Sequence, residues 1–172
     1  MPPIREFTYH RRVQYKETDA SGIVHFSSFF VYAEEAEHAM WRAAGLSVEP
    51  LATAIGWPRV SAAFDFFKPL RFEDEIEVRI RLVERTAKTF RYQSVIMLDG
   101  EVAAMGSSTS ICARKAPNEP LAAMDIPHAI ADCFEVLPAV ERPRRASSGP
   151  PHGNARAVGE RIGRMQDDGF SG

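Results

Sequence analysis

Ser27-Ser28-Phe29-Phe30-Val31-Tyr32-Ala33-Glu34-Glu35-Ala36-Glu37-His38-Ala39-Met40-Trp41-Arg42-Ala43-Ala44-Gly45 is the stretch on which the fold turns. Phe29, Phe30, Ala33, Ala36, Ala39, Met40 and Ala43 recur at spacings of three and four, the period of an α-helix with a buried face. Gly45 stands where a helix C-cap belongs. Ser27 is the simplest N-cap, although Phe30 in place of Glu or Gln gives it no capping box. Glu34, Glu35, Glu37, His38 and Arg42 line the opposite side, while Tyr32, Trp41 and Ala44 widen the apolar arc beyond an ordinary surface stripe. Such an arc predicts a helix wrapped on several sides.

Outward from this helix the chain reads as β. Before it, Phe7, Tyr9, Val13 and Tyr15 fall on alternate positions and predict a first strand over about 7–16 with one buried face. After it, the aromatic and β-branched run Trp57–Phe67 is stopped by Lys68-Pro69. Ile76, Val78, Ile80 and Leu82 then alternate with Glu75, Glu77, Arg79 and Arg81 over one long half-exposed strand. Phe90–Leu98 and Glu101–Arg114 form an antiparallel pair, joined through Asp99-Gly100, a dipeptide that favours a type I′ turn. One long helix must therefore cover five strands. The expected class is α+β, a five-stranded antiparallel sheet wrapped around one central helix. A single sheet leaves an edge and an open face, so an oligomer is expected.

Composition narrows the function. The 172 residues carry 21 Lys+Arg against 23 Asp+Glu, a formal charge of −2, which supplies no basic field for nucleic acid. No apolar run approaches the ~20 residues of a membrane span, and MPPIREFTYHRR lacks the apolar core of a signal peptide, so the expected location is cytoplasmic. Cys112 and Cys133 lie far apart without a CxxC or a nearby His cluster, the pattern of two reduced thiols rather than a zinc site. From Glu141 onward the chain holds six of its eleven glycines and the run Arg142-Pro143-Arg144-Arg145, a composition that cannot offset its own ordering entropy. The working domain is expected over 5–137, followed by a disordered tail over 138–172 in which only 157–165 could form a short helix.

The chemistry concentrates in the loop ahead of the helix. Asp19 lies between a strand and a long helix, and Gly22 lets the backbone turn sharply or approach a ligand closely. The first amides of a helix lack internal acceptors and sit at the positive end of its dipole, so they can hold the oxyanion that forms when a carbonyl is attacked. An acid and such a hole suffice for acyl transfer. Taken alone, Asp19 reads first as an Asx-turn residue and His25 as a hydrogen-bonded histidine at a helix entrance. No GxSxG elbow supports a serine hydrolase.

The string Tyr15-x-x-Thr18-Asp19-Ala20-x-Gly22-Ile23-Val24-His25-Phe26, followed by Phe29-x-x-Tyr32-x-Glu34, resembles the hotdog-fold acyl-CoA thioesterases of the 4-hydroxybenzoyl-CoA thioesterase and YbgC type. The resemblance continues through Asp65-Phe66-x-Lys68-Pro69-Leu70-Arg71-Phe72-x-Asp74 and covers about residues 8–115. It implies a five-stranded sheet around a central helix and a dimer as minimum unit, extending to a tetramer, with active sites at subunit interfaces. It further implies that Asp19 is the catalytic carboxylate, as nucleophile or as general base. The Phe26 amide then holds the oxyanion, with His25 as the nearest titratable side chain because Phe26 replaces a polar residue.

Substrate contacts are implied at Tyr15 and Gly22, at Trp57, Val60 and Ser61 around the acyl pocket, and at Lys88 and Thr89 on the CoA phosphates. Thr86 and Ala87 stand where the relatives have arginines, which weakens that grip. No metal or redox cofactor is implied, and coenzyme A belongs to the substrate. Two alternatives remain at this level. One is an acyl-carrier-protein thioesterase docking through Arg11-Arg12 or Arg79 and Arg81; the other is a non-catalytic acyl-binding or scaffold protein of the same shape.

Overall fold

The structure is a computed structural model and describes residues 2–48, 54–116 and 118–143. Five antiparallel strands form the main sheet: β1 (Phe7–Arg12), β3 (Arg59–Phe66), β4 (Glu75–Arg85), β5 (Thr89–Leu98) and β6 (Glu101–Ile111). Their order is β1-β4-β5-β6-β3, so β1 and β3 are the edges. The helix α1 (Phe26–Ala43) packs against the concave face. A small sheet of β2 (Ile55–Gly56), β7 (Ala113–Arg114) and β8 (Ala122–Ala123), then a single-turn helix α2 (His128–Ala131), complete the described elements. No helix among the described residues is long and apolar enough to cross a membrane. This is the expected α+β architecture.

The alternating strand behaves as its period requires. Ile76, Val78, Ile80 and Leu82 of β4 are buried, while Glu75 and Arg79 face solvent. They meet Tyr32, Ala36, Met40 and Trp41 of α1, together with Phe90, Tyr92 and Ile96 of β5, in one core. Asp99 and Gly100 have φ of 52° and 79°, the two left-handed residues of a type I′ turn. Gly45, at φ 72°, closes α1: its N–H bonds to Arg42 O and that of Leu46 to Trp41 O, which satisfies carbonyls the helix would otherwise leave open.

Four expectations are corrected. The first strand ends at Arg12 rather than running to 16, because Tyr15–Glu17 winds into a 3₁₀ turn; Val13 is buried but Tyr15 is 76% exposed. The run 57–67 begins its strand only at Arg59, after Pro58, and Ile55–Gly56 pairs separately in the small sheet. The N-cap of α1 is His25, not Ser27: the His25 ring accepts the Ser27 N–H through Nδ1, which also lies 2.8 Å from Ser27 Oγ. Glu37, placed by periodicity on the polar side, is buried, because Arg59 of β3 reaches across and bonds its carboxylate at 2.7 Å.

The chain beyond the core continues along the outer face of the sheet. Leu137 N–H bonds to Leu82 O, Arg81 to Pro138 O, and the Gln93 carboxamide both accepts from Val140 N–H (2.7 Å) and donates to Val140 O (2.9 Å). Arg142 then pairs with Asp65 of β3. Residues 138–143, assigned from composition to the tail, thus form a strap across β4, β5 and the far edge. The suggested helix over 157–165, and Arg144 and Arg145, lie outside the described residues. Cys112, buried, and Cys133, half-buried, are free thiols.

Candidate active site

The loop between β1 and α1 is built from its own backbone. Thr18 and Val24 form an antiparallel bridge that brackets residues 19–23. Inside it, Asp19 N–H bonds to Ile23 O (2.8 Å) and Gly22 N–H to Asp19 O (3.0 Å). Gly22 adopts φ 71°, a conformation costly for a residue with a Cβ. Val24 N–H reaches Leu70 O at 2.8 Å, which fixes the loop against the segment that leads into β4. The Asx-turn reading of Asp19 is realised in one oxygen: Oδ1 accepts the Ser21 N–H at 2.7 Å. Oδ2 takes no hydrogen bond among the described residues.

Asp19 and Phe26 line one cleft of about 400 Å³, walled by Val24, Phe29, Phe66 and Leu70 and edged by Lys68. Phe26 is the first residue of α1, so its N–H has no intrahelical acceptor. A half-buried Asp19 and the first residue of the helix therefore line one largely apolar space. Phe66, Lys68 and Leu70 were not singled out as site residues from sequence. They occur in the string through which the family resemblance continues, and only the fold brings them beside Asp19. Lys68 is tied to Glu101 at 2.7 Å, a contact that raises the pKa of its ammonium.

The other candidates lie elsewhere. His25 is exposed, caps the helix and tilts against the Phe26 ring at 4.4 Å rather than entering the cleft. Tyr15 stands edge-on to Phe72 at 5.7 Å, outside it. Trp57 stacks on Phe90 (5.3 Å) and meets Trp41 (5.0 Å), and Trp41 lies roughly 22 Å along the helix axis from Phe26 at 1.5 Å per residue. Lys88 and Thr89 occupy the β4–β5 hairpin near that same end, where Thr89 Oγ1 bonds Thr86 Oγ1. Val60 and Ser61 are exposed on β3, one of the two edge strands. Within one chain, then, Asp19 and Phe26 come together with the Gly22 loop, His25 and Tyr15 stand near that loop but outside the cleft, and Trp57, Val60, Ser61, Lys88 and Thr89 lie toward the opposite end.

Behind the loop lies a cluster of charge. Arg11, its side chain 9% exposed, bonds Glu17 and Glu35 at 2.5 Å each and lies 4.0 Å over the Tyr32 ring. The Tyr32 O–H donates to Glu17 Oε2 at 2.8 Å. Burial pushes the Glu17 carboxyl up, but donors from Gln14 N–H, Tyr32 and Arg11 outweigh it and hold the pKa below the usual value. Burial and the same carboxylate push the Tyr32 phenol well above its ordinary range.

With this geometry in view, comparison with known proteins is direct. The profile of the thioesterase-like superfamily matches residues 13–134. The chain belongs to the thioesterase-like superfamily. It is 36% identical over 107 residues to an Aquifex aeolicus protein carrying a provisional esterase name, a match covering 62% of this chain and 83% of that protein. It is 33% identical over 75 residues to a 1,4-dihydroxy-2-naphthoyl-CoA hydrolase of Crocosphaera subtropica, covering 42% of this chain and 55% of the relative. The solved structure of a gentisyl-coenzyme A thioesterase superposes with a TM-score of 0.67 at 29% identity, over 74% of this chain and 99% of that one. This superfamily membership and the sheet-around-helix architecture bear out the hotdog fold implied by the resemblance.

Proposed function

We propose that the protein hydrolyses an acyl or aroyl CoA thioester, with Asp19 as nucleophile or general base and the Phe26 amide as oxyanion donor. The observation that carries this reading is the shared cleft, which Asp19 and Phe26, the first residue of the helix, line together. As nucleophile, Asp19 attacks the thioester carbon, CoA leaves as thiolate, and water hydrolyses the resulting anhydride. As base, it takes a proton from the water that attacks directly. Either route builds negative charge on the carbonyl oxygen, and a fixed donor there is typically worth ~10²–10³ in rate. No metal or redox cofactor enters either route. The names of the relatives, hydrolases of hydroxylated aromatic CoA thioesters, support an aroyl group.

Two copies complete the site in this reading. β3 runs from Arg59 to Phe66, and Phe66 lines the Asp19 cleft. Antiparallel pairing of two β3 edges would set the partner's Val60 and the partner's Ser61 beside that cleft, and would swing the hairpin that carries Lys88 toward it. The arginines suggested for carrier-protein docking argue for CoA instead: Arg11 pairs with Glu17 and Glu35, Arg12 with Glu73 and Glu75, Arg79 with Glu77, and Arg81 with Glu6. That leaves no open basic patch at those positions.

The deciding assay is hydrolysis across acetyl, medium-chain, long-chain, benzoyl and hydroxynaphthoyl CoA thioesters and one acyl-carrier-protein thioester. The expected result is turnover of an aromatic CoA ester above the rest. Failure to hydrolyse any of them would overturn the proposal.

A further inference from the structure

Glu17 occupies a position that the reaction as written does not use. Its carboxylate takes three donors, from Gln14 N–H (2.8 Å), Tyr32 O–H (2.8 Å) and Arg11 (2.5 Å). Its backbone carbonyl takes two more, the N–H of His25 at 2.8 Å and Ser28 Oγ at 3.3 Å. The carboxylate end therefore anchors to β1 and the middle of α1, and the carbonyl end to the first turn of α1. Asp19 lies two residues ahead along the chain, and His25 is the cap that presents the Phe26 amide. One residue thus touches both halves of the proposed site, the loop carrying the acid and the helix end carrying the donor.

A stability role alone accounts poorly for this arrangement. The Arg11 Nε is buried without an acceptor among the described residues. Buried ion pairs are often no better for stability than well-packed apolar residues, and an orphaned N–H adds a cost. We infer that Glu17 is a positioning residue, held by Arg11 and Tyr32, which fixes the Asp19 carboxylate and the Phe26 amide relative to one another. This inference rests on the thioesterase reading for its kinetic test, though not for its structural one. Misplacing a reacting group by about 1 Å can cost on the order of 10²-fold, so small shifts at Glu17 are felt in the chemical step rather than in binding.

The test compares wild type with Glu17→Gln, Tyr32→Phe and, as a control on the outer face of the sheet, Gln93→Ala. On the best CoA thioester, Glu17→Gln is expected to lower kcat by about tenfold to a hundredfold with KM within about twofold. Tyr32→Phe, which keeps the ring under Arg11 and removes one donor, should lower kcat less. Gln93→Ala should lose thermal stability without this split. A second readout needs no turnover: the Phe26 amide should show microsecond-to-millisecond exchange broadening in Glu17→Gln and none in wild type. Should Glu17→Gln fail to fold, Tyr32→Phe decides by the same two readouts. An unchanged kcat in a folded Glu17→Gln, a rise in KM alone, or an unaltered Phe26 amide would overturn the inference. A wild type inactive on every thioester would instead overturn the proposed function, and the amide readout would then decide the role of Glu17 by itself.

Discussion

At the scale of single residues, Asp19 is committed on one side only. Oδ1 accepts the Ser21 N–H, Oδ2 takes no hydrogen bond among the described residues, and the residue lines the cleft. Asp19→Asn preserves the size of the side chain and its acceptor toward Ser21 but removes the negative charge, so turnover should fall by at least ~10² while the thermal midpoint stays close to wild type. Turnover near the wild-type rate would remove Asp19 from the mechanism. Glu37 allows a prediction on stability. Its burial raises its pKa against the opposing pull of Arg59, so the folded state holds a proton that the unfolded chain has released. In the window between the ordinary glutamate value of ~4.3 and the raised one, stability therefore falls as pH rises. Glu17 has the opposite sign, since its lowered pKa gives stability that is lost on acidification below the ordinary value. Urea unfolding of Glu37→Gln should show a flatter dependence above about pH 4.5, and a slope equal to wild type would contradict this account.

At the scale of elements, what was legible follows from periodicity. The three- and four-residue spacing of α1, the strict alternation of β4 and the Asp99-Gly100 turn all carry a local signal that the folded chain obeys. Features decided by distant partners were not legible. Glu37 reads as a surface residue until Arg59 folds over it, and His25 takes the cap because its ring reaches the Ser27 N–H, a role that residue preference assigns to serine. Residues 138–143 have no period at all and owe their course to distant side chains, Gln93, Arg81 and Asp65. The β4–β5 hairpin carries the next prediction. Lys88 is exposed there, so if its ammonium meets CoA phosphates, Lys88→Ala should raise KM with kcat little changed. The effect should weaken with salt and vanish for a pantetheine thioester that lacks the nucleotide. Equal effects on both substrates would rule the contact out.

For the whole molecule, the open question raised by the fold is the β3 edge. Val60 (58% exposed) and Phe66 (42%) on β3, with Phe26 and Val31 on α1, form an apolar margin beside unpaired strand backbone. Val60→Glu places a charge there, which should shift light scattering toward the monomer and lower turnover in parallel. Full activity in a monomer would show that each cleft is complete in one chain. This also explains why the candidate site was only half readable. Asp19, Gly22 and Phe26 are neighbours along the chain and appear as one string. Trp57, Val60, Ser61, Lys88 and Thr89 belong to the far end of the same fold, and no local pattern relates them to the Asp19 cleft.

The strap across the outer face is attached by a carboxamide and a few isolated bonds, not by a continuous ladder. Such an attachment can open while every strand beneath it stays paired. The strap is then a separate unit of local unfolding, whose amide of Val140 trades hydrogen for deuterium through a small opening that denaturant scarcely accelerates, whereas amides in the middle of β4 and β5 exchange only when the whole sheet comes apart.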